Sequence, residues 1–189
     1  MKENELIQKS LNGDDEAFNT LTYPYIEKAH QTSFLLLHDF NLAQDAVQEA
    51  LIQTYISLKR YDVKKGAFKT WFLGIVVNSS LKVSRKKFYH SEYEDEYGEK
   101  KNEVESNIIL SEEKKHIYNC VKKLSNKYKV TIVMYYFHDM TVKEISSSLK
   151  VREGTVKSRL YKARLLLKKM LGEDNSHMIL RGENLWKEN

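Results

Sequence analysis

Residues 141–171, TVKEISSSLKVREGTVKSRLYKARLLLKKML, leave few folds open to the chain that carries them. Thr141 and Glu144 have the T-x-x-E spacing of a capping box, in which the two side chains satisfy orphan N–H groups at a helix start. Ile145 and Leu149, four apart, then share one helical face. The run Lys150-Val151-Arg152-Glu153-Gly154 breaks this helix, and the sequence puts the bend at Gly154, which lacks a Cβ. In the helix that follows, Val156, Leu160, Ala163 and Leu167 recur at offsets of four, three and four, a single buried stripe. Its other faces carry Lys157, Arg159, Lys162, Arg164, Lys168 and Lys169 and no acid. A short apolar-faced helix, a turn and a basic helix make the layout of a helix-turn-helix, whose second helix enters the DNA major groove. A solvated basic helix of any bundle would carry the same charge; cap, turn and stripe in one register favour DNA.

The rest of the chain is also helical by expectation. One proline and seven glycines in 189 residues leave little material for hairpins. A net charge of +5 suits a polyanionic partner without requiring one. The lone Cys120 excludes an internal disulfide and fits a reducing compartment. The first residues have no apolar signal region and no stretch is apolar for long enough to cross a membrane, so a cytoplasmic protein without membrane insertion is expected. The six histidines are scattered without metal-ligand spacing, and neither a Gly-rich phosphate loop nor a G-x-S-x-G is present. No enzyme, cofactor or metal is read from this sequence.

Gly13-Asp14-Asp15 breaks an opening helix, and Pro24 reads as belonging to a first helical turn. Asn41 and Gln44 read as a second capping box, opening a helix to about Arg60 with Val47, Leu51, Thr54, Tyr55 and Leu58 as its buried stripe. Away from that stripe Asp45, Gln48, Glu49 and Ile52 fall at offsets of three, four and seven, an outward ridge that suits solvent or a partner alike. Residues 61–67 read as a loop. A helix over 68–85 follows, with Phe68, Trp71, Phe72, Ile75 and Val76 as core. Between Phe88 and Ser106 seven acids, Glu92, Glu94, Asp95, Glu96, Glu99, Glu103 and Glu105, face Lys100 and Lys101, the composition of an unfolded tether. The expectation is all-α, two small helical domains at 1–87 and 111–173 joined by a flexible acidic linker at 88–110. The tail 174–189 has no assignment.

Two stretches carry a resemblance. Gly154-Thr155-Val156-Lys157-Ser158-Arg159-Leu160-Tyr161-Lys162-Ala163-Arg164 closely resembles the G-T-V-K-S-R-L-x-R-A-R of region four in bacterial sigma factors of the extracytoplasmic-function (ECF) group. Asp45-Ala46-Val47-Gln48-Glu49-Ala50 resembles the E-D-L-V-Q-E-T of their region two. Gly13-Asp14-x-x-Ala17-Phe18 and Phe68-x-x-Trp71-Phe72-x-x-Ile75 are similar to flanking motifs of that region. Val77, Lys82, Ser125 and Lys129 depart from the residues usual there (Arg, Asp, Pro and Arg).

The resemblance implies a subunit that directs core RNA polymerase to promoters. Asp45, Gln48 and Glu49, with Ile52 on the same face, would dock on the clamp coiled coil of the β′ subunit. Lys157, Ser158, Tyr161 and Lys162 would read the −35 element, where a lysine can donate to guanine O6 and N7. Arg152, Arg159, Arg164 and Lys168 would hold phosphates. Tyr61, Asp62, Lys64 and Lys65 lie where the family captures a flipped −10 base, with Lys69, Asn78 and Lys82 on the adjoining helix. Promoter DNA, core polymerase and an anti-sigma factor, free or membrane-anchored, are the implied partners. A helix-turn-helix regulator that recruits no polymerase would not need the acidic ridge. A sigma mimic that only sequesters an anti-sigma factor would not need the basic helix.

Overall fold

The computed structural model describes residues 2–91 and 112–180, with side-chain surroundings for 2–86 and 116–171. The chain divides into two compact units, Met1–Asp95 and Glu96–Asn189. Among the described residues all regular structure is helical. The acidic stretch from residue 92 onward lies outside them.

In the first unit α1 (Glu3–Leu11), α2 (Asp15–Leu37), α3 (Phe40–Ser57) and α4 (Phe68–Ser91) pack as a bundle, α2, α3 and α4 each against the other two and α1 on α2. Gly13 turns the chain from α1 to α2 at φ +89°, a value that costs glycine little. The Asp14 carboxylate then accepts from Ala17 N–H at 2.9 Å, capping α2. Pro24 lies in the interior of α2 rather than in a first turn. It forfeits the bond to the Thr20 carbonyl, but Thr20 and Pro24 are both exposed, so water reaches that oxygen.

The start of α3 also differs from the expected one. Asp39, not Asn41, is the N-cap, its carboxylate accepting from Leu42 N–H at 3.1 Å. His38, in the left-handed region at φ 55°, ends α2 directly before it. The buried stripe of α3 is Ala43, Ala46, Val47, Ala50 and Thr54, continued by Leu58 in a following 3-10 turn. Tyr55, expected inside, is 42% exposed, and Leu51 is only half-buried. Small residues at the contact let α3 approach α2 and α4 closely, and the larger apolar side chains are turned outward. Phe68, Phe72, Leu73, Val76 and Val77 fill the centre at 0% exposure. A buried Ser80 hydroxyl donates to Ser33 Oγ at 3.0 Å, joining α4 to α2. Val77, at the position where the family usually has an arginine, is thus a core residue here. The α4 helix continues to Ser91, past the expected end near residue 85 and into the residues assigned to the linker.

In the second unit α5 (Glu112–Lys122), α6 (Asn126–Ile132) and α7 (Val142–Leu149) all pack on α8 (Glu153–Leu180). A π-helical stretch, Val133–Phe137, extends α6. The Thr141–Glu144 capping box forms as read. The bend between α7 and α8 falls at Lys150, φ 53°, while Gly154 is already helical. Ser146 holds this turn, its Oγ donating to the Val151 carbonyl at 2.7 Å and its own carbonyl accepting from Val151 N–H at 3.1 Å.

Adjacent aromatic residues on α4 test this packing. Phe72→Ala should cost about 3–5 kcal/mol in urea unfolding, and Trp71→Ala, half-exposed, less than half as much. Equal losses would mean that Trp71 belongs to the core.

Candidate nucleic-acid and polymerase interfaces

Burial of Val156, Leu160, Ala163 and Leu167, each at 3% exposure or less, fixes the rotation of α8. The opposite face then presents Lys157, Ser158, Tyr161, Lys162, Leu165, Lys168 and Lys169, with Tyr161 65% exposed. Arg152 is exposed just before the helix, and Gly154 in its first turn leaves open space where a Cβ would stand. Ser158 Oγ donates to the Thr155 carbonyl at 3.0 Å and can still accept. Arg159 and Arg164 lie half-buried on the two flanks of this face. Arg164 Nε–H donates to the Tyr136 hydroxyl at 2.8 Å, with the guanidinium 5.5 Å from the Tyr135 ring and 5.7 Å from that of Tyr136. A face of lysines with a projecting tyrosine and serine, docked by its back on three helices, suits a nucleic-acid groove.

On α3, Asp45, Gln48 and Ile52 are exposed and Glu49 half-buried, so the ridge is continuous. Glu49 is not free within it: Lys82 Nζ of α4 lies 2.8 Å from its Oε1. The hydrogen bond and charge of Lys82 hold the Glu49 carboxyl below its ordinary value, with Lys86 adding to the effect. Beside the ridge an apolar groove of about 450 Å³ runs between α2 and α3, lined by Phe18, Tyr23, Ile26, Ile52, Tyr55 and Ile56 among others. Periodicity concealed it, because Tyr55 was counted with the core.

The expected −10 residues separate into two groups. Tyr61 OH donates to the Gly66 carbonyl at 3.0 Å, and its ring meets Phe68 edge-on at 5.7 Å and Trp71 at 5.2 Å. Burial pushes its phenol up, with Glu3 and Asp62 adding to the shift. Tyr61 therefore shapes the loop as well as lining it. Asp62 accepts from Lys64 N–H at 3.0 Å and lies 3.7 Å from Lys65 Nζ, leaving the Lys64 and Lys65 side chains exposed. Lys69 and Asn78 are nine residues apart, about two and a half turns, and so point to opposite sides of α4. Asn78 instead shares a side with Trp71, Ile75 and Lys82. Trp71 is half-exposed there, unlike Phe68 and Phe72, an open aromatic surface that spacing alone assigned to the core.

The two units correspond to known families. The model of Sigma-70 region 2 matches residues 28–87, and that of Sigma-70, region 4 matches 115–167, together more than half of the chain. The ECF RNA polymerase sigma factor SigW of Bacillus subtilis is 28% identical over 177 residues, covering 87% of this chain and 94% of that protein. The ECF RNA polymerase sigma factor SigM of Mycobacterium tuberculosis is 27% identical over 183 residues, 94% of this chain and 88% of that protein. Among solved structures, the sigma factor RpoE in complex with the anti-sigma factor NepR from Bartonella quintana shares the fold at a TM-score of 0.69 and 18% identity, covering 82% of this chain and 96% of that one. CnrH, in complex with the cytosolic domain of CnrY, gives a TM-score of 0.63 at 17% identity, over 89% of this chain and 96% of that one. Fold and matched regions define a sigma factor, a regulator of transcription initiation rather than a member of an enzyme family. The chain belongs to the ECF group of RNA polymerase sigma factors.

Lys82→Ala should raise the Glu49 carboxyl toward its ordinary value, read by carboxyl-carbon NMR titration. An unmoved titration would show that the pair does not form in solution.

Proposed function

We propose that this ECF sigma factor meets core polymerase through the α3 ridge, the −35 element through the exposed face of α8, and the opened −10 segment through the loop 61–66 and the outer side of α4. The observation that carries the reading is the burial of the α8 stripe, which leaves an acid-free face of four lysines with Ser158 and Tyr161. The stripe, with Lys157, Ser158, Tyr161 and Lys162, lies within the match to region four.

On α8, Lys157, Ser158, Tyr161 and Lys162 are the base readers. Arg152, Arg159 and Lys168 flank them and position the duplex through phosphates. Asp45, Gln48, Glu49 and Ile52 dock on the β′ clamp coiled coil, and the apolar groove beside Ile52 extends that contact. For the −10 segment, Lys64 and Lys65 supply exposed charge and Asn78 a bidentate edge, while half-exposed Trp71 offers a surface on which an unstacked base can rest. Lys69, on the far side of α4, serves the backbone of the loop side only. The first unit runs through α4 to Ser91 and the second comprises 111–173, with the acidic residues between them as a tether; the factor catalyses nothing itself and acts in the cytoplasm. RpoE in complex with NepR is the precedent for an anti-sigma partner here. No helix among the described residues is long and apolar enough to cross a membrane, so a membrane-anchored regulator would supply the anchor.

Reconstitution with core polymerase on a promoter library tests this as a whole. Asp45→Lys or Ile52→Glu should lower core affinity at least about tenfold, the factor that 1.4 kcal/mol represents, with helicity and melting temperature unchanged, because both residues are exposed. Undiminished affinity would remove the ridge from the docking site.

Readers and clamps separate in a second measurement on the holoenzyme. Lys157→Ala should lose about 1–3 kcal/mol of discrimination at one or two −35 base pairs. Lys168→Ala should weaken all duplexes alike and flatten the salt dependence by about one phosphate. Equal changes in sequence preference would mean that the helix lies in the groove in another orientation.

A further inference from the structure

We propose that Arg164 is a positioning residue for promoter recognition: gripped by Tyr135 and Tyr136, it sets the angle at which α8 meets the −35 base pairs and makes no phosphate contact of its own. This rests on reading α8 as the −35 helix.

Arg164 sits on the flank of α8, between the lysine face and the buried stripe, and is half-buried. Its Nε–H is committed to the Tyr136 hydroxyl at 2.8 Å, and its guanidinium lies over two aromatic rings at 5.5 and 5.7 Å. Such contacts favour arginine over lysine, because a planar, delocalised cation with a directed N–H meets two rings and a hydroxyl at once where an ammonium is a point charge. The anchor is itself rigid: Tyr136 is 3% exposed, and its ring meets that of Tyr135 edge-on at 5.0 Å.

The backbone that presents the two tyrosines is unusual. Both lie in the π-helical stretch Val133–Phe137, closed by His138 N–H donating to the Val133 carbonyl at 3.2 Å, a bond spanning five residues. A π stretch inserts one residue into a helix and recurs at functional sites. Here it brings two consecutive tyrosines to one guanidinium. The grip joins residues 28 apart. It bypasses α7 and the turn at Lys150, and adds one directed polar contact to the apolar packing of α5, α6 and α7 on α8. A recognition helix must hold its base-facing groups to within about 0.5 Å of productive geometry, and a strut at its midpoint restrains the tilt that a turn at one end leaves free.

The test uses holoenzyme carrying the full-length factor and two duplexes. One bears the −35 sequence that the holoenzyme selects from a randomised library; the other has that sequence scrambled. Tyr136→Phe and Arg164→Lys should each lower the preference for the selected duplex about threefold to tenfold, the range that loss of one side-chain hydrogen bond gives. Binding to the scrambled duplex and its salt dependence should match the parent. The proposal is overturned if Arg164→Lys behaves as the parent while Arg164→Ala weakens both duplexes alike with a salt slope shallower by about one, since Arg164 is then a phosphate contact. It is also overturned if melting temperature falls while the preference stays, because the grip then serves the fold alone. Should Arg164→Lys fail to fold, Tyr136→Phe, which removes a single oxygen, decides by itself. A Lys157→Ala control that also leaves the preference untouched would overturn the assignment of α8, and the proposal with it.

Discussion

Close contact through small side chains governs the first unit. Ala43, Ala46 and Ala50 of α3 are 2% exposed or less, and Ala29 of α2 is 0% exposed. Burying alanine releases little apolar surface per residue, so the gain comes from bringing backbones together around Phe68 and Phe72. Two consequences follow from that one choice of face. The acidic ridge of α3 is rotated into solvent, and Ile52, Tyr55 and Ile56 are rotated out with it, at 55%, 42% and 60% exposure. Scattered exposed apolar residues are ordinary, whereas a clustered set lining a groove is the kind of surface that interaction sites use. The second unit reaches the same result with a conventional stripe: Val156, Leu160, Ala163 and Leu167 go in, and every lysine on α8 through residue 169 is left out.

The two units treat charge differently. In the first, Lys82 pairs with Glu49 and Lys65 with Asp62. These are surface pairs worth little as stability, but they orient Lys65 and Lys82 on the side of the unit proposed to meet melted DNA and leave Asp45 as the open acid of the ridge. On α8 the only acid among the described side chains is Glu153 in the first turn, where it favours the helix dipole. Lys157, Lys162, Lys168 and Lys169 therefore project together without local compensation. Their mutual repulsion is tolerated because they are solvated, and it is relieved when a polyanion arrives and releases its counterions.

Much of this was legible in the sequence, and the failures share a cause. The second unit was read nearly in full because its key helix has large apolar residues on one face only, and because Thr141 and Glu144 state where α7 begins. The bend was misplaced, since glycine is the usual left-handed residue but Lys150 took that conformation and Gly154 joined the helix, and α8 runs on to Leu180, into the tail that had no assignment. In the first unit the periodic signal was carried by alanines, which count for little in a hydrophobic pattern, so Tyr55 and Leu51 were assigned inside. Asn41 and Gln44 fit a capping pattern, but the carboxylate of Asp39 is the cap, placed there by a two-residue turn at His38. Phe68, Trp71 and Phe72 form one stripe by spacing. Only packing distinguishes the two that are 0% exposed from the one that is half-exposed. The hold of Tyr136 on Arg164 joins residues 28 apart, beyond the reach of any helical spacing.

Neither proposed DNA surface is large. The α8 face offers a handful of side chains, and the outer side of α4 offers Trp71, Ile75, Asn78 and Lys82. Each alone would give the modest, salt-sensitive affinity of a single module. Carried on one chain and mounted on one polymerase, the second contact becomes intramolecular, and avidity can exceed either affinity by about 10²–10⁴ without new contacts. Discrimination benefits in the same way: a mismatch in either element forfeits the linked gain, not merely one contact. Weak, separately folded readers are thus better suited to choosing a promoter than one strong reader. The same argument bears on where rigidity belongs. Slack between modules costs effective concentration only slowly, whereas slack within a module blurs which bases it reads. The internal braces of this chain follow that division: Ser33 with Ser80 in the first unit and Tyr136 with Arg164 in the second each join helices inside one unit.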